Sequence, residues 1–149
     1  MIRDMGRIED HQNLPAWQKA IALATKVYAA TRALPNDERS GLGAQMRQSA
    51  VAIPSHVAEG AARNNRVEFV QHLQAARSSL AELETQMMIS VRQGFLSADE
   101  AGLRDLAEVS RCLNHLISKL VSAQRDAHAN ACRPPHDRRC RTPALSTHP

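Results

Sequence analysis

The chain has 149 residues, enough for one domain with a substantial core, and 43% of them are hydrophobic, yet no apolar run approaches the ~20 residues of a membrane span. Only Trp17, Tyr28, Phe69 and Phe95 are aromatic, so aliphatic and alanine packing must supply the burial, which suits helices better than a β-sandwich. Three cysteines (Cys112, Cys132 and Cys140) make no secreted-type disulfide framework, and residues 1–10, read as a flexible N-terminus, hold no secretion h-region, so a cytoplasmic protein is expected.

Asn13 reads as an N-cap and Pro15 as a first-turn residue, opening a helix that should run to about Leu34 and stop at Pro35. Its apolar seam is Leu14, Trp17, Ile21, Ala24, Tyr28 and Thr31, which makes Trp17 and Tyr28 core residues rather than stacking platforms. Residues 36–43 read as a turn into a second helix with the seam Leu42, Met46, Ser49, Ile53, Val57 and Gly60. Gly41 and Gly43 make no phosphate loop, lacking a preceding strand, a third glycine and a Lys-Ser/Thr pair. Pro54 lies inside this helix, where a lost amide donor and a ring crowding the carbonyl of Ala50 cost about 3 kcal/mol without support. Its neighbours Ser49, Ala50, Ala52, Ser55, Ala58, Gly60, Ala61 and Ala62 are small enough for other helices to approach closely. The segment is therefore expected at the centre of a bundle, bent but continuous.

Asn65 with Glu68 resembles a capping box for a third helix, whose seam is Phe69, Leu73, Ala76, Leu80, Leu83 and Met87. A second stripe, Val70, Met88, Val91 and Phe95, cannot all share that seam and is the candidate oligomer interface. After Gln93 and Gly94, Ser97 with Glu100 forms a capping box for a fourth helix, carried by Leu103, Leu106, Leu113, Ile117 and Leu120 with Val109 and Leu116 at its flanks. Helicity is expected to fade after Ala123, leaving residues 127–149 as a disordered Arg/Pro/His-rich tail. Residues 1–124 hold fourteen basic and thirteen acidic side chains, and residues 125–149 five arginines and two aspartates, so the basic balance belongs mainly to the tail. The expected fold is an all-α, antiparallel four-helix bundle over residues 11–124 with a proline-bent second helix.

The run Gln45-Met-Arg-Gln-Ser-Ala-Val-Ala-Ile-Pro-Ser-His-Val-Ala-Glu-Gly-Ala-Ala-Arg63 stands between Asn13-Leu-Pro-Ala-Trp-Gln-Lys-Ala20 and the pair Glu68-Phe-Val-Gln-His-Leu73 and Leu80-Ala-Glu-Leu-Glu-Thr-Gln86. These four blocks, in this order and spacing, resemble the 23S rRNA intervening-sequence family over roughly residues 11 to 124. The resemblance implies a four-helix bundle assembling as a ring, usually a pentamer. It also implies kinship with the accessory variability determinant of diversity-generating retroelements, which binds nucleic acid and a reverse transcriptase. One departure falls in the core motif: His56 stands where the family usually has asparagine.

Within that motif Pro54, His56, Glu59 and Gly60 are the structural candidates. His56 and Glu59 lie three apart and could in principle act as acid and base beside Ser55, but no activated nucleophile with an oriented base is visible, so no catalytic residue is assigned. Glu59 is expected to pair with Arg63. Di-metal bundles need Glu-x-x-His pairs, and the chain has none, so neither metal nor cofactor is expected. His128, Cys132, His136 and Cys140 in the tail have zinc-ligand chemistry, but Pro134 and Pro135 break any helix that would align them.

Arg39, Arg47, Arg63, Arg66 and Arg77 are the candidate nucleic-acid contacts, since symmetry in a ring would multiply a modest patch into a belt. The expectation is a non-enzymatic homo-oligomer that binds RNA or DNA backbone and serves as an adaptor, with a reverse transcriptase or another protein as partner and no membrane contact. The competing expectation is a protein-interaction scaffold with no nucleic-acid role.

Overall fold

The structure, a computed structural model, describes residues 10–131. Residues 1–9 and the tail from residue 132, with Cys132, His136 and Cys140, lie outside the described residues. A 3-10 turn (His11–Asn13) leads into α1 (Pro15–Thr31), a short α2 (Asn36–Ser40), α3 (Leu42–Ala62), α4 (Arg66–Arg92), a one-turn α5 (Ala98–Ala101) and α6 (Leu103–Ala131). Among the described residues there are no strands. The four long helices close a ring of contacts: α1 and α4 each pack on both α3 and α6. Short connections between neighbours make the bundle antiparallel. No helix among the described residues is long and apolar enough to cross a membrane.

The start of α1 differs from the expected cap. Asn13 belongs to the preceding 3-10 turn, which Asp10 caps by accepting from the Gln12 amide at 3.3 Å. Leu14, extended and buried, occupies the N-cap position without a side-chain bond, and Pro15 lacks the donor that would need one. The seam of α1 is also rotated from the expected one. Ala16, Ala20, Leu23, Ala24, Val27 and Thr31 are buried, whereas Ile21 is 39% and Tyr28 46% exposed. Three alanines on the inner face allow close helix approach, which Ile21 and Tyr28 there would prevent. Trp17 packs partly buried against the core and edge-on to His11. The helix ends at Thr31, and Pro35 serves as N-cap of α2 where a turn was expected.

In α3 the expected seam is inside: Met46, Ser49, Ile53, Val57 and Gly60 are buried, with Leu42 packed partly buried against them. The helix bends but runs on through Pro54, itself buried. Ser55 helps there by donating its hydroxyl to the Val51 carbonyl at 2.8 Å, a bond one turn back that favours bending. That hydroxyl is thus turned to its own helix rather than presented as a nucleophile.

Asn64 takes a left-handed φ of 52° and reverses the chain between α3 and α4. Asn65 then caps α4 by accepting from the amides of Val67 and Glu68 at 2.9 and 3.2 Å. All six expected seam residues of α4 are buried, with Phe69, Leu73, Leu83 and Met87 among the largest fully buried side chains. Ser90, also buried, satisfies its hydroxyl on the Met87 carbonyl at 2.7 Å.

The Ser97–Glu100 capping box is present, with Ser97 Oγ accepting from the Glu100 amide at 3.2 Å and Glu100 Oε2 from the Ser97 amide at 2.7 Å. The Ser97 amide, with its hydroxyl second, holds the Glu100 carboxyl below its usual range. The box opens only α5, because Gly102 at φ 85° interrupts the helix before α6. Leu106, Val109 and Leu113 of α6 are buried, so Val109 lies in the core rather than at its flank. The helix continues to Ala131, eight residues past the expected fading at Ala123. Ala123, Ala127, Ala129 and Ala131 favour helix there, and no proline occurs between Pro54 and Pro134. Across the seam between α1 and α6, Lys19 donates to Glu108 at 2.7 Å and Lys26 to Asp105 at 2.6 Å.

Candidate functional site

Helices α3 and α4 cross in close contact at Gly60. A Cβ added at Gly60 would lie 2.7 Å from both His72 Cβ and Phe69 Cδ2, so the two helices approach this closely only because residue 60 has no side chain. His56, one turn back on α3 from Gly60, and Glu59, the immediate neighbour of Gly60, look across the crossing at His72. Glu59 Oε2 lies 3.5 Å from His56 Nδ1 and 3.6 Å from His72 Nδ1, and the two rings are 6.3 Å apart. His56 and His72 are half-buried, whereas Glu59 is 57% exposed and forms the mouth of the cluster. His56 Nδ1 is itself buried and, among the described residues, has no hydrogen-bond partner. Glu59 therefore faces two imidazoles instead of the expected Arg63, whose Nε lies 3.9 Å from Glu68.

The five candidate arginines divide between the two ends and one side of the bundle. Arg39 donates from Nε to the Leu34 carbonyl at 3.1 Å, and Arg47 from Nη2 to the Arg39 carbonyl at 3.0 Å. The Arg47 guanidinium also lies 5.9 Å from the centre of the exposed Tyr28 ring, a cation–π contact. Arg63 and Arg66 flank the α3–α4 turn at the other end, about 24 Å along α3 from Arg47 at 1.5 Å per residue. Arg77 stands on α4 and donates to Asn114 of α6 at 3.4 Å. Within one chain the arginines thus make separate patches.

Residues 12–115 match the family model of the 23S rRNA-intervening sequence protein. The chain belongs to this family. Its fold is shared by a solved structure, a protein of unknown function from the S23 ribosomal protein family of Bacteroides thetaiotaomicron, with a TM-score of 0.63 at 18% identity. The likeness covers 69% of this chain and 95% of that one. No curated protein matches the chain.

In this member of the 23S rRNA-intervening sequence family, the stripe singled out for assembly divides. Val91 and Phe95 pack partly buried against the core of the chain itself, Val70 is half-buried, and Met88 is 38% exposed. Ile21, which the seam pattern placed inside, and Val51, Val67 and Ile89, which it left unnoticed, are at least as exposed as Met88. Two features of the site also escaped the sequence reading. Tyr28 was placed inside by its spacing, and the trio of His56, Glu59 and His72 was hidden because its pattern is His-x-x-Glu on one helix completed by a histidine on the next.

Proposed function

We propose that this chain is a non-enzymatic, cytoplasmic adaptor that assembles as a homo-oligomeric ring, with five subunits, and binds RNA or DNA backbone through arginine. The observation that carries the reading is the surface built from Tyr28, Arg39 and Arg47. There an exposed ring is held beside a guanidinium, and each arginine keeps guanidinium donors beyond the one it gives to a carbonyl. Such a surface offers phosphate contacts and one stacking platform, the two ingredients of single-strand binding with little base specificity. The family's description, which names an intervening sequence of 23S rRNA, supports RNA as the first ligand to test.

Labelled single-stranded RNA titrated at several salt concentrations tests this. Log affinity should fall linearly with log salt, by about 0.7 per phosphate neutralised. Arg47→Ala and Arg39→Ala should each flatten that slope. Tyr28→Ala should weaken binding by about 1–3 kcal/mol while leaving the slope nearly unchanged. Deletion of residues 132–149 should reduce affinity but leave a salt-dependent remainder. Absence of binding at low salt would favour the second reading, a protein-interaction scaffold, which the exposed Ile21, Val51, Val67 and Ile89 support.

A further inference from the structure

We propose that His56, Glu59 and His72 form a binding site for one zinc-class divalent cation. The three residues each offer a ligand atom, and these atoms lie within 4.8 Å of one another. Zinc bound at about 2.1 Å to nitrogen and oxygen in a tetrahedron needs ligands about 3.4 Å apart. The two distances from Glu59 to the imidazoles, 3.5 and 3.6 Å, are already near that edge length. Two imidazoles and one carboxylate suit a borderline-soft ion better than calcium or magnesium, which prefer all-oxygen shells.

The backbone that carries the ligands is fixed by packing. His72 is held against α3 at the contact with Gly60, and His56 and Glu59 share one helical face three residues apart. His56 Nδ1 is buried and, among the described residues, makes no hydrogen bond although Glu59 lies 3.5 Å away, and a cation within the trio would give it a direct partner. Three protein ligands leave a fourth position, which opens on the solvent side where Glu59 is exposed. This site is separate from the Tyr28 surface and stands or falls independently of nucleic-acid binding.

The sequence contains a rival set of ligands in His128, Cys132, His136 and Cys140, so the test must tell the two apart. Full-length protein freed of metal with a chelator is titrated with cobalt(II) as a spectroscopic probe and with zinc by calorimetry. Binding at the trio gives a tetrahedral or five-coordinate cobalt spectrum without a sulfur-to-cobalt charge-transfer band, at one ion per subunit. His72→Gln should lower that affinity by more than about 100-fold, beyond the loss typical of an outer-shell partner, and Glu59→Gln should also weaken it. The Cys132→Ser/Cys140→Ser variant should bind like the parent. Circular dichroism on each variant checks that helix content is retained, and His56→Asn provides a second ligand deletion if His72→Gln fails to fold. The proposal is overturned if no ion binds at micromolar concentration, or if the His72→Gln and His56→Asn proteins bind as the parent does. A thiolate band that vanishes with the cysteines, taking all binding with it, overturns it equally.

Discussion

Two helix seams of this bundle are closed by opposite means. Between α3 and α4 the helices meet through a missing side chain at Gly60, beside fully buried Phe69 and Val57. Between α1 and α6, alongside the apolar packing, two exposed ion pairs bridge the rim, Lys19 with Glu108 and Lys26 with Asp105. Steric closure is insensitive to solvent and intolerant of added atoms, whereas charge closure tolerates substitution and responds to salt and pH. The first seam is therefore suited to holding a fixed constellation such as the histidine trio, and the second is an adjustable edge.

The largest effect should come from emptying the steric seam. Phe69→Ala is expected to cost about 3–5 kcal/mol of unfolding free energy in a denaturant titration, because it leaves a cavity beneath the crossing. Filling the seam should come next. Gly60→Ala gains about 1 kcal/mol in helix propensity but forces a clash of about 1–3 kcal/mol, so a net loss is expected, and a neutral or stabilised protein would show that the crossing is not limited by contact. On the other side, Ser97→Ala removes the cap that leads into α5 and α6 and should cost about 1 kcal/mol.

The smallest effects belong to the ion pairs. Lys26→Ala should cost no more than about 1 kcal/mol, and less at high salt. Hydrogen bonding from Lys26 holds the Asp105 carboxyl below its ordinary 3.8, and that from Lys19 holds Glu108 below 4.5. Their contribution is fully present above those ordinary values and is lost as pH falls through the lowered ones. The bond to Glu108 raises Lys19 above 10.5, so its share is present below 10.5 and is lost as pH rises through the raised value. Unfolding measured between pH 2 and pH 12 should thus show a plateau between the two losses, and Lys19→Ala should remove its alkaline limb.

How far the sequence revealed this molecule depended on what kind of residue did the packing. The α4 seam was read without error because Phe69, Leu73, Leu80, Leu83 and Met87 are large apolar residues at helical spacing, and their burial follows from hydrophobicity alone. The α1 seam was misread because hydrophobic weight favours Ile21 and Tyr28, while the neighbours select for small size and bury Ala16 and Ala20. The helix through Pro54 was anticipated from the small residues around it, but the length of α6 was not, since its final turns carry no apolar seam to mark them. The arginine candidates were identifiable as residues, but their separation by the length of α3 was not, because sequence proximity does not say which end of a bundle a turn occupies. The histidine trio was least visible of all: twelve residues and a chain reversal lie between Glu59 and His72.

Gly60 carries a consequence for how this protein can change by mutation. Every other residue adds at least a Cβ, so no gradual substitution series leads away from glycine at this position. The compensating change would have to remove the opposing Cβ, and at position 72 only glycine does so, leaving the ring of Phe69 still to be moved. A lineage that relocated the glycine across the crossing would preserve helix proximity and lose the second imidazole in the same step. Packing and ligand are therefore inherited together, and the descent of the one constrains the descent of the other.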